Sequence, residues 1–389
     1  QLGRLYLGTG DLDAARRSYE TAAEVAPDDG VILREYKTLL RRLGDTHTLP
    51  TLRLRLARSS EDTHYKATLL VESAEVLLQS EAPEDREFAA NAILGALRED
   101  PGNPYAVRLL ESLLGMAWVV EARDPYTGGH LWRVSRYAAL LCERSGTSRT
   151  VCARVSIGAF LHDLGKVGIP DAVLRKPSAL DDDERAVIQT HPELGARLLA
   201  GHPLAHWAAD AVRSHHERPD GHGYPQGLFG NAIPHAALVV GICDAFDAMT
   251  STRPYRSGMP VAQALEAIHR DLGRQFDEPL ARHFLALGSE GLLDHIAGHS
   301  DDGIPLQRCM SCGPTLVLRR EQVPGDRVYC RNCGGEYRIG ASAGDRPDAV
   351  EPTGRRGSAQ NLAPAADAAL IERFVRDTEA AAFATSVHA

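Results

Sequence analysis

The 389-residue chain has no apolar run of the 18 or more residues that a membrane-spanning helix needs. It also has no charged-then-apolar leader of the secretory kind. Aromatics are sparse at 6%. Basic residues are too few to balance the acids: Lys+Arg 43 against Asp+Glu 52 leaves a net charge of -9. A global electrostatic grip on nucleic acid is thereby excluded, since it needs a basic footprint. No βαβ alternation runs along the chain, so a doubly wound sheet is not indicated. With 43% hydrophobic residues the chain is nevertheless a folded one, long enough for about two to three domains. What it has in quantity is histidine, 16 residues, together with an odd total of 7 cysteines. A chain with a core of this size has no need of a disulfide framework, so metal binding in a reducing, cytoplasmic compartment is the expectation.

The first thirty residues carry a spacing of small and large side chains. Gly3, Tyr6, Ala15, Tyr19, Ala22 and Pro27 fit two antiparallel helices that approach closely and stop at the proline. This resembles a tetratricopeptide repeat. A half-match recurs at Ala89, Ile93, Ala96 and Pro101, and residues 31–88 between them have helical period. One repeat cannot bury its face alone, and the chain opens on Gln1 rather than Met, so further repeats upstream are expected. Residues 1–107 are read as a helical repeat segment.

Residues 108–290 read as almost entirely helical, broken by Gly and Pro clusters. Asp181 followed by Glu184 predicts a capped helix start. Nine of the histidines fall between His130 and His235. His130 shares a helix face with Val134, Tyr137 and Leu141. His162-Asp163 closes an apolar helix that Gly165 should end, with Lys166 one step beyond. A buried carboxylate there needs a cation or a metal. His191 precedes Pro192, which should kink or restart a helix, and His215-His216 ends another. Asp244 lies among Ala237, Gly241 and Ala248, small neighbours that allow close approach. Five imidazoles and two carboxylates suit Fe, Mn, Zn or Ni rather than Ca or Mg alone. Seven ligands are too many for one ion and fit two, the arrangement that polarises a phosphoryl group and supplies a hydroxide.

These residues stand in longer motifs: Thr127-Gly128-Gly129-His130, His162-Asp163-Leu164-Gly165-Lys166, His191-Pro192, the run from His215-His216-Glu217 to Gly223-Tyr224-Pro225, and Asp244-Ala245-Phe246-Asp247, followed by Arg253-Pro254-Tyr255-Arg256. Together they resemble the HD-GYP domain, over about residues 115–290. The resemblance implies an all-α bundle of the HD phosphohydrolase superfamily that hydrolyses cyclic di-GMP to the linear dinucleotide or to GMP. It implies His130, His162, Asp163, His191, His215, His216 and Asp244 as ligands of two divalent metals, Fe or Mn, with Asp163 bridging. Lys166 would hold the scissile phosphate, Arg253 and Arg256 would contact substrate phosphates, and Tyr224 belongs to the recognition loop. Tyr126 stands where trimetal members carry Glu, which implies a two-metal site and slower conversion of the linear product. Asp247 is read as capping or pairing locally, with Arg253 a candidate partner, and His222 and His235 as surface residues. The alternatives are another cyclic dinucleotide or a nucleotide as substrate, or a low-activity sensor or scaffold.

Cys309-Met310-Ser311-Cys312 and Cys330-Arg331-Asn332-Cys333 form two CxxC knuckles, each followed by glycine. The pattern predicts a zinc site in a ribbon-like module over 304–340 with short strands. Cys142, Cys152 and Cys243 sit in apolar helical contexts and read as core thiols. Residues 341–389 are expected to form a linker to 362, then a short helix from about Ala365 to Ala384. The fold class expected is mainly α, with one small β-rich knuckle and a mobile tail. The repeats and the cysteine module are candidates for protein contacts and for pairing two copies of the chain.

Overall fold

The computed structural model describes residues 1–45, 47–80, 82–100, 103–123, 128–176, 178–252, 257–313, 315–340, 350–363 and 367–383. The fold is mainly α with small sheets, and it divides into two compact units, Gln1–Glu111 and Ser112–Ala389. In chain order the helices of the first unit are α1 (Leu2–Thr9), α2 (Leu12–Val25), α3 (Gly30–Leu43), α4 (Thr48–Ser59), α5 (Thr63–Leu77) and α6 (Pro83–Glu99); α7 (Pro104–Arg123) crosses the division.

Each helix of the first unit packs on the next in sequence. Asp11, Asp29 and Asp62 cap α2, α3 and α5 by accepting hydrogen bonds from first-turn amides, satisfying donors a helix start leaves open. Gly3 is buried where a Cβ would lie 2.6 Å from the Tyr19 ring, so only glycine lets α1 approach α2. Tyr19, Leu33, Tyr36, Leu40 and Leu56 form the core behind that contact. The half-match residues Ala89, Ile93 and Ala96 are fully buried on α6.

The second unit begins with α8 (His130–Arg144) and α9 (Arg149–Leu161), which pack together. The short helices α10 (Asp171–Leu174) and α11 (Asp182–Ile188) follow, then α12 (His191–Leu199), α13 (Ala209–Ser214), α14 (His235–Thr250), α15 (Val261–Arg270) and α16 (Glu278–Ser289). α11 starts on the expected capping box, Asp181 with Glu184. Tyr137, Phe246 and Phe284 meet edge to face at 5.1–6.2 Å between ring centres and fix α8, α14 and α16 to one another.

Beyond the bundle come β1 (His299–Asp301), β2 (Ile304–Pro305), β3 (Gln307–Arg308), β4 (Thr315–Leu316), β5 (Arg327–Tyr329), β6 (Gly335–Ile339) and β7 (Val350–Arg356), then α17 (Ala359–Leu362) and α18 (Ala368–Phe383). β1–β2 and β3–β4 are antiparallel pairs, and β5, β6 and β7 form an antiparallel sheet.

Three expectations about this region change. The β-rich region starts at His299 rather than 304, because β1 pairs with β2, whose Ile304 packs on the module's core. Residues 350–356 are not linker: they add β7 to β6, largely through backbone pairing, with most of their side chains exposed. The tail helix is not loose among its described residues. It packs on α9, with Phe374 4.9 Å from Phe160 and Leu370, Ile371, Phe374 and Val375 buried.

Candidate metal centre and active site

Helix ends and turns bring six of the seven predicted ligands, His130, His162, Asp163, His191, His215 and His216, to one place, beside Asp244 within α14. α9 ends at Leu161, one residue before His162, which is earlier than the glycine signal suggested. His162 and Asp163 therefore occupy the turn into a 3-10 segment, Leu164–Gly168. Gly165 serves a close approach instead. A Cβ there would sit 1.8 Å from the His191 carbonyl oxygen, so glycine alone lets this turn touch the start of α12. Pro192 restarts the chain as α12 with His191 as its first residue. His215 follows the last residue of α13. Gly241 on α14 clears the His215 carbonyl, where a Cβ would be 2.8 Å away, and this sets Asp244 across from the histidine pair.

The ligand atoms gather in overlapping groups: His130, His162 and Asp244; His162, Asp163 and His215; and His191, His215 and His216, each set lying within 4.8 Å. Asp163 stands between the outer groups. Its Oδ2 lies 3.6 Å from the Nε2 atoms of His130 and His162, and its Oδ1 lies 3.5 Å from Nε2 of His191. Asp244 Oδ1 is 3.5 Å from His130 and 3.7 Å from His162.

The donor chemistry fits metal ions. Nδ1 of His162 lies 2.6 Å from the Ala159 carbonyl oxygen, Nδ1 of His191 2.8 Å from that of Ile188, and Nδ1 of His215 3.0 Å from that of Ala211. Those oxygens only accept, so each Nδ1 is the protonated nitrogen and each Nε2 presents a lone pair inward. Nε2 of His191 and of His215 are 3.2 Å apart. Two lone pairs at that distance repel, and a cation bound by both removes the conflict. Burial, with the charge of Lys166, lowers the His191 pKa to about 3, against the pull of Asp163. Burial likewise lowers His216 to about 4 and His215 well below its ordinary value. These three are neutral, as metal ligands must be. Burial also opposes charge on His130, but the neighbouring Asp163, Asp247 and Asp244 outweigh it and raise its pKa to about 9. In spite of burial, Lys166 and the histidines hold Asp163 well below the usual carboxylate range, and His162 and His130 do the same for Asp244. Both are anionic, as a carboxylate that holds a cation must be.

Lys166 reaches Asp163, Nζ to Oδ2 at 2.6 Å, and its side chain remains 17% exposed at the site's edge. Tyr224 stacks on His216 with ring centres 4.7 Å apart. A cavity of about 420 Å³ opens on His215, His216 and Asp244 and is walled by Tyr224, Gln189 and Gln275. Its size suits a small-molecule ligand. Glu217, buried, accepts from the amides of Gln226 at 2.7 Å and Leu228 at 2.8 Å and so holds the Tyr224 loop closed. Asp220 pairs with Arg218 in the same loop, and the two hold its shape. Arg253, Arg256 and Tyr126 lie outside the described residues. His222 and His235 are exposed.

The contacts of Asp247 reach further than the sequence suggests, to a residue not singled out there, Arg133. Asp247 pairs locally, accepting from Ser251 Oγ at 3.2 Å, and it also bonds His130 Nδ1 at 2.8 Å and pairs with Arg133 on α8. The signal available in the sequence is a pair of charged residues on otherwise apolar helix faces.

Residues 116–280 match the family model described as HD domain. This part of the chain is an HD domain. Over 178 residues the chain is 42% identical to "Cyclic di-GMP phosphodiesterase response regulator RpfG" of Xanthomonas campestris, covering 45% of this chain and 47% of that protein. It is 36% identical over 188 residues to "Cyclic di-GMP phosphodiesterase" of Thermotoga maritima, 48% of this chain and 51% of the relative. It is also 36% identical over 177 residues to "3'3'-cGAMP-specific phosphodiesterase 2" of Vibrio cholerae, 45% of this chain and 34% of the relative. The chain thus spans about half the length of the curated relatives it matches, or less.

A second cluster lies outside the HD domain. Sγ atoms of Cys309 and Cys333 are 3.6 Å apart, and those of Cys312 lie 3.5 Å from Cys309 and from Cys330. A tetrahedral ion with bonds of about 2.3 Å to sulfur spaces its ligands by about 3.8 Å, so the four fit one ion and no disulfide. Gly313 and Gly334 turn at positive φ, 80° and 74°, after each knuckle. Burial opposes ionisation of Cys309, but the Tyr337 hydroxyl and the amides of Ser311 and Cys312 lower its pKa to about 6. The other three cysteines, Cys142, Cys152 and Cys243, are free and buried.

Proposed function

We propose that the chain is a metal-dependent phosphodiesterase that hydrolyses cyclic di-GMP to its linear dinucleotide, with further cleavage to GMP slower. The observation that carries the reading is the convergence of five histidine rings with Asp163 between them, in a domain whose relatives are named as cyclic di-GMP phosphodiesterases. His130, His162 and Asp244 would hold one ion, His191, His215 and His216 the other, and Asp163 would serve both. Fe and Mn suit this imidazole and carboxylate set. Bound there, the pair would polarise a phosphoryl oxygen and lower the pKa of a water.

The chain's own groups do the rest. Buried carbonyl contacts fix the rings of His162, His191 and His215, and Asp247 fixes that of His130, so these rings need no reorientation during reaction. Lys166 stands beside Asp163, where its ammonium meets a phosphate oxygen and offsets developing charge. Tyr224, held against His216 by the Glu217 anchor, offers a flat face for a base. Arg253 and Arg256 are the proposed contacts to the substrate's phosphates.

A second reading has specific support. Relatives named for 3'3'-cGAMP share the same domain, so a mixed cyclic dinucleotide is the competing substrate. Anaerobic purification, metal analysis and turnover of both dinucleotides with product identification decides between them. Asp163→Ala should abolish hydrolysis of either; full activity in that variant, or in metal-free protein, would overturn the proposal. The four-cysteine module is proposed to hold structural zinc, and one zinc per chain lost in Cys330→Ser is the expected result. The repeat segment and the module are proposed as contact surfaces for protein partners or for a second copy, which light scattering of the purified chain tests.

A further inference from the structure

Arg133 follows His130 by three residues on α8 and is 1% exposed. A buried guanidinium is tolerated only when its donors are met. Nε donates to Asp247 Oδ1 at 2.5 Å, and Nη2 donates to Asp247 Oδ2 at 3.0 Å and to Ser251 Oγ at 3.1 Å. Nη1 donates to the carbonyls of Gly128 at 2.9 Å and His299 at 2.8 Å. Asp247 Oδ2 also meets Nδ1 of His130, which sets that ring's tautomer and plane.

The His299 carbonyl lies outside residues 116–280, in β1 of the C-terminal region. β1 is seated closely against the site's back. A Cβ on Gly129, the residue before His130, would lie 2.6 Å from Ser300 Cα. Ser300 Oγ donates to the Leu318 carbonyl, and Leu318 belongs to the core around Cys309 and Cys330. Asp301, 6% exposed, pairs with Arg320 of the module and with Arg373 of α18. The same helix packs on α9, which leads directly into His162 and Asp163.

We propose that Arg133, acting through Asp247, is the positioning residue for His130, and that β1 with its Arg320–Asp301–Arg373 clamp completes that support from outside the HD domain. Metal affinity at the HD centre then depends on the docked state of the C-terminal region. The inference rests on reading His130 as a metal ligand.

The test is Mn²⁺ titration of the full chain, followed by calorimetry and by the electron paramagnetic resonance spectrum of the bound ions. Arg133→Met should weaken Mn²⁺ binding about 10- to 100-fold, as loss of such an outer partner does. Arg133→Lys, which keeps the charge, should recover part of that loss. Arg373→Ala changes a partly exposed residue on α18 remote from the ligands; it should weaken binding about 2- to 30-fold and broaden the spectrum. Wild-type affinity in all three variants overturns the proposal. Weakening at Arg133 alone overturns the part assigned to the C-terminal region. If Arg133→Met does not fold, the Lys and Arg373 variants decide. A wild-type chain that binds no Mn²⁺ overturns the underlying metal-site reading itself.

Discussion

Replacing Gly165 by alanine adds one methyl group at the tightest contact of the site. The new Cβ would stand 1.8 Å from the His191 carbonyl oxygen and 2.5 Å from the Gly195 amide nitrogen, both backbone atoms. Real Cβ contacts do not fall below 3.0 Å, so the turn after His162 and the start of α12 must separate by at least 1.2 Å. That displacement carries His191, which is 3.5 Å from Asp163 and 3.2 Å from His215 before the change. Metal bonds tolerate about 0.2 Å. Overpacking of this kind costs about 1–3 kcal/mol of stability. A misplacement near 1 Å costs on the order of 100-fold in rate. Gly165→Ala should therefore lose metal from the His191, His215 and His216 group and fall about 100-fold in hydrolysis, with a modest drop in melting temperature. The control is Gly115→Ala on α7, where an added Cβ meets nothing within 4 Å. The same methyl there should stabilise by about 0.5–1 kcal/mol, because glycine is the poorer helix residue. Denaturation, metal analysis and turnover of the two variants side by side are the assay. A Gly165→Ala enzyme with wild-type metal content and rate would refute the argument that this contact sets the position of His191.

Three further perturbations have expected outcomes. Phe374→Ala removes a ring that is 5% exposed and packed on Phe160, so it should cost about 3–5 kcal/mol of α18 docking and open the tail to limited proteolysis. Glu217→Gln leaves one of two amides with a neutral acceptor and the other facing an NH2 donor; at about 1.5–3 kcal/mol per lost charged bond, it should raise KM more than it lowers kcat, measured by steady-state kinetics. In the repeat segment the hydrogen bond from Arg4 lowers the pKa of Glu35 against the effect of burial, with Tyr19 adding a second bond. A depressed carboxylate pKa stabilises the fold above the ordinary value near 4.5 and loses that stabilisation as pH falls through the folded value. Glu35→Gln should flatten that acid-side loss in thermal melts between pH 5 and 3.

The positions of the candidate metal ligands are legible because local chemistry announces them: Pro192 after His191, small residues around Asp244 within α14, an Asp inside an apolar run. Convergence itself is not a local signal and comes through the longer motifs. The Arg133–Asp247 pairing is hidden in the sequence because its members are 114 residues apart: each is a charge on an otherwise apolar helix face, but nothing local names the other as its partner. Asp247 instead suggests Arg253, its neighbour in sequence. The strand at 350–356 is hidden for a different reason. Its side chains are mostly exposed, so no alternation marks it, and its existence rests on backbone pairing with β6. The docking of α18 is half legible. Leu370, Phe374 and Val375 give it an apolar face, but nothing local names α9 as the surface that covers it.

Placing imidazole, which brings no negative charge of its own, at five of the seven candidate ligand positions has a consequence for charge. Two divalent ions bound by the two carboxylates, Asp163 and Asp244, would retain an excess of two positive charges, and Lys166 adds to it at the edge. A cyclic dinucleotide brings two negative charges on its phosphodiesters. A site built from carboxylates instead would neutralise its own metals and bind the dianion weakly. The chain as a whole carries -9, so the attraction is local and falls off within about 8 Å at physiological salt. Discrimination against longer nucleic acid would follow from the same arrangement: the positive charge of two bound ions and Lys166 would be gathered at one point, whereas a polymer needs a basic track along which to lie.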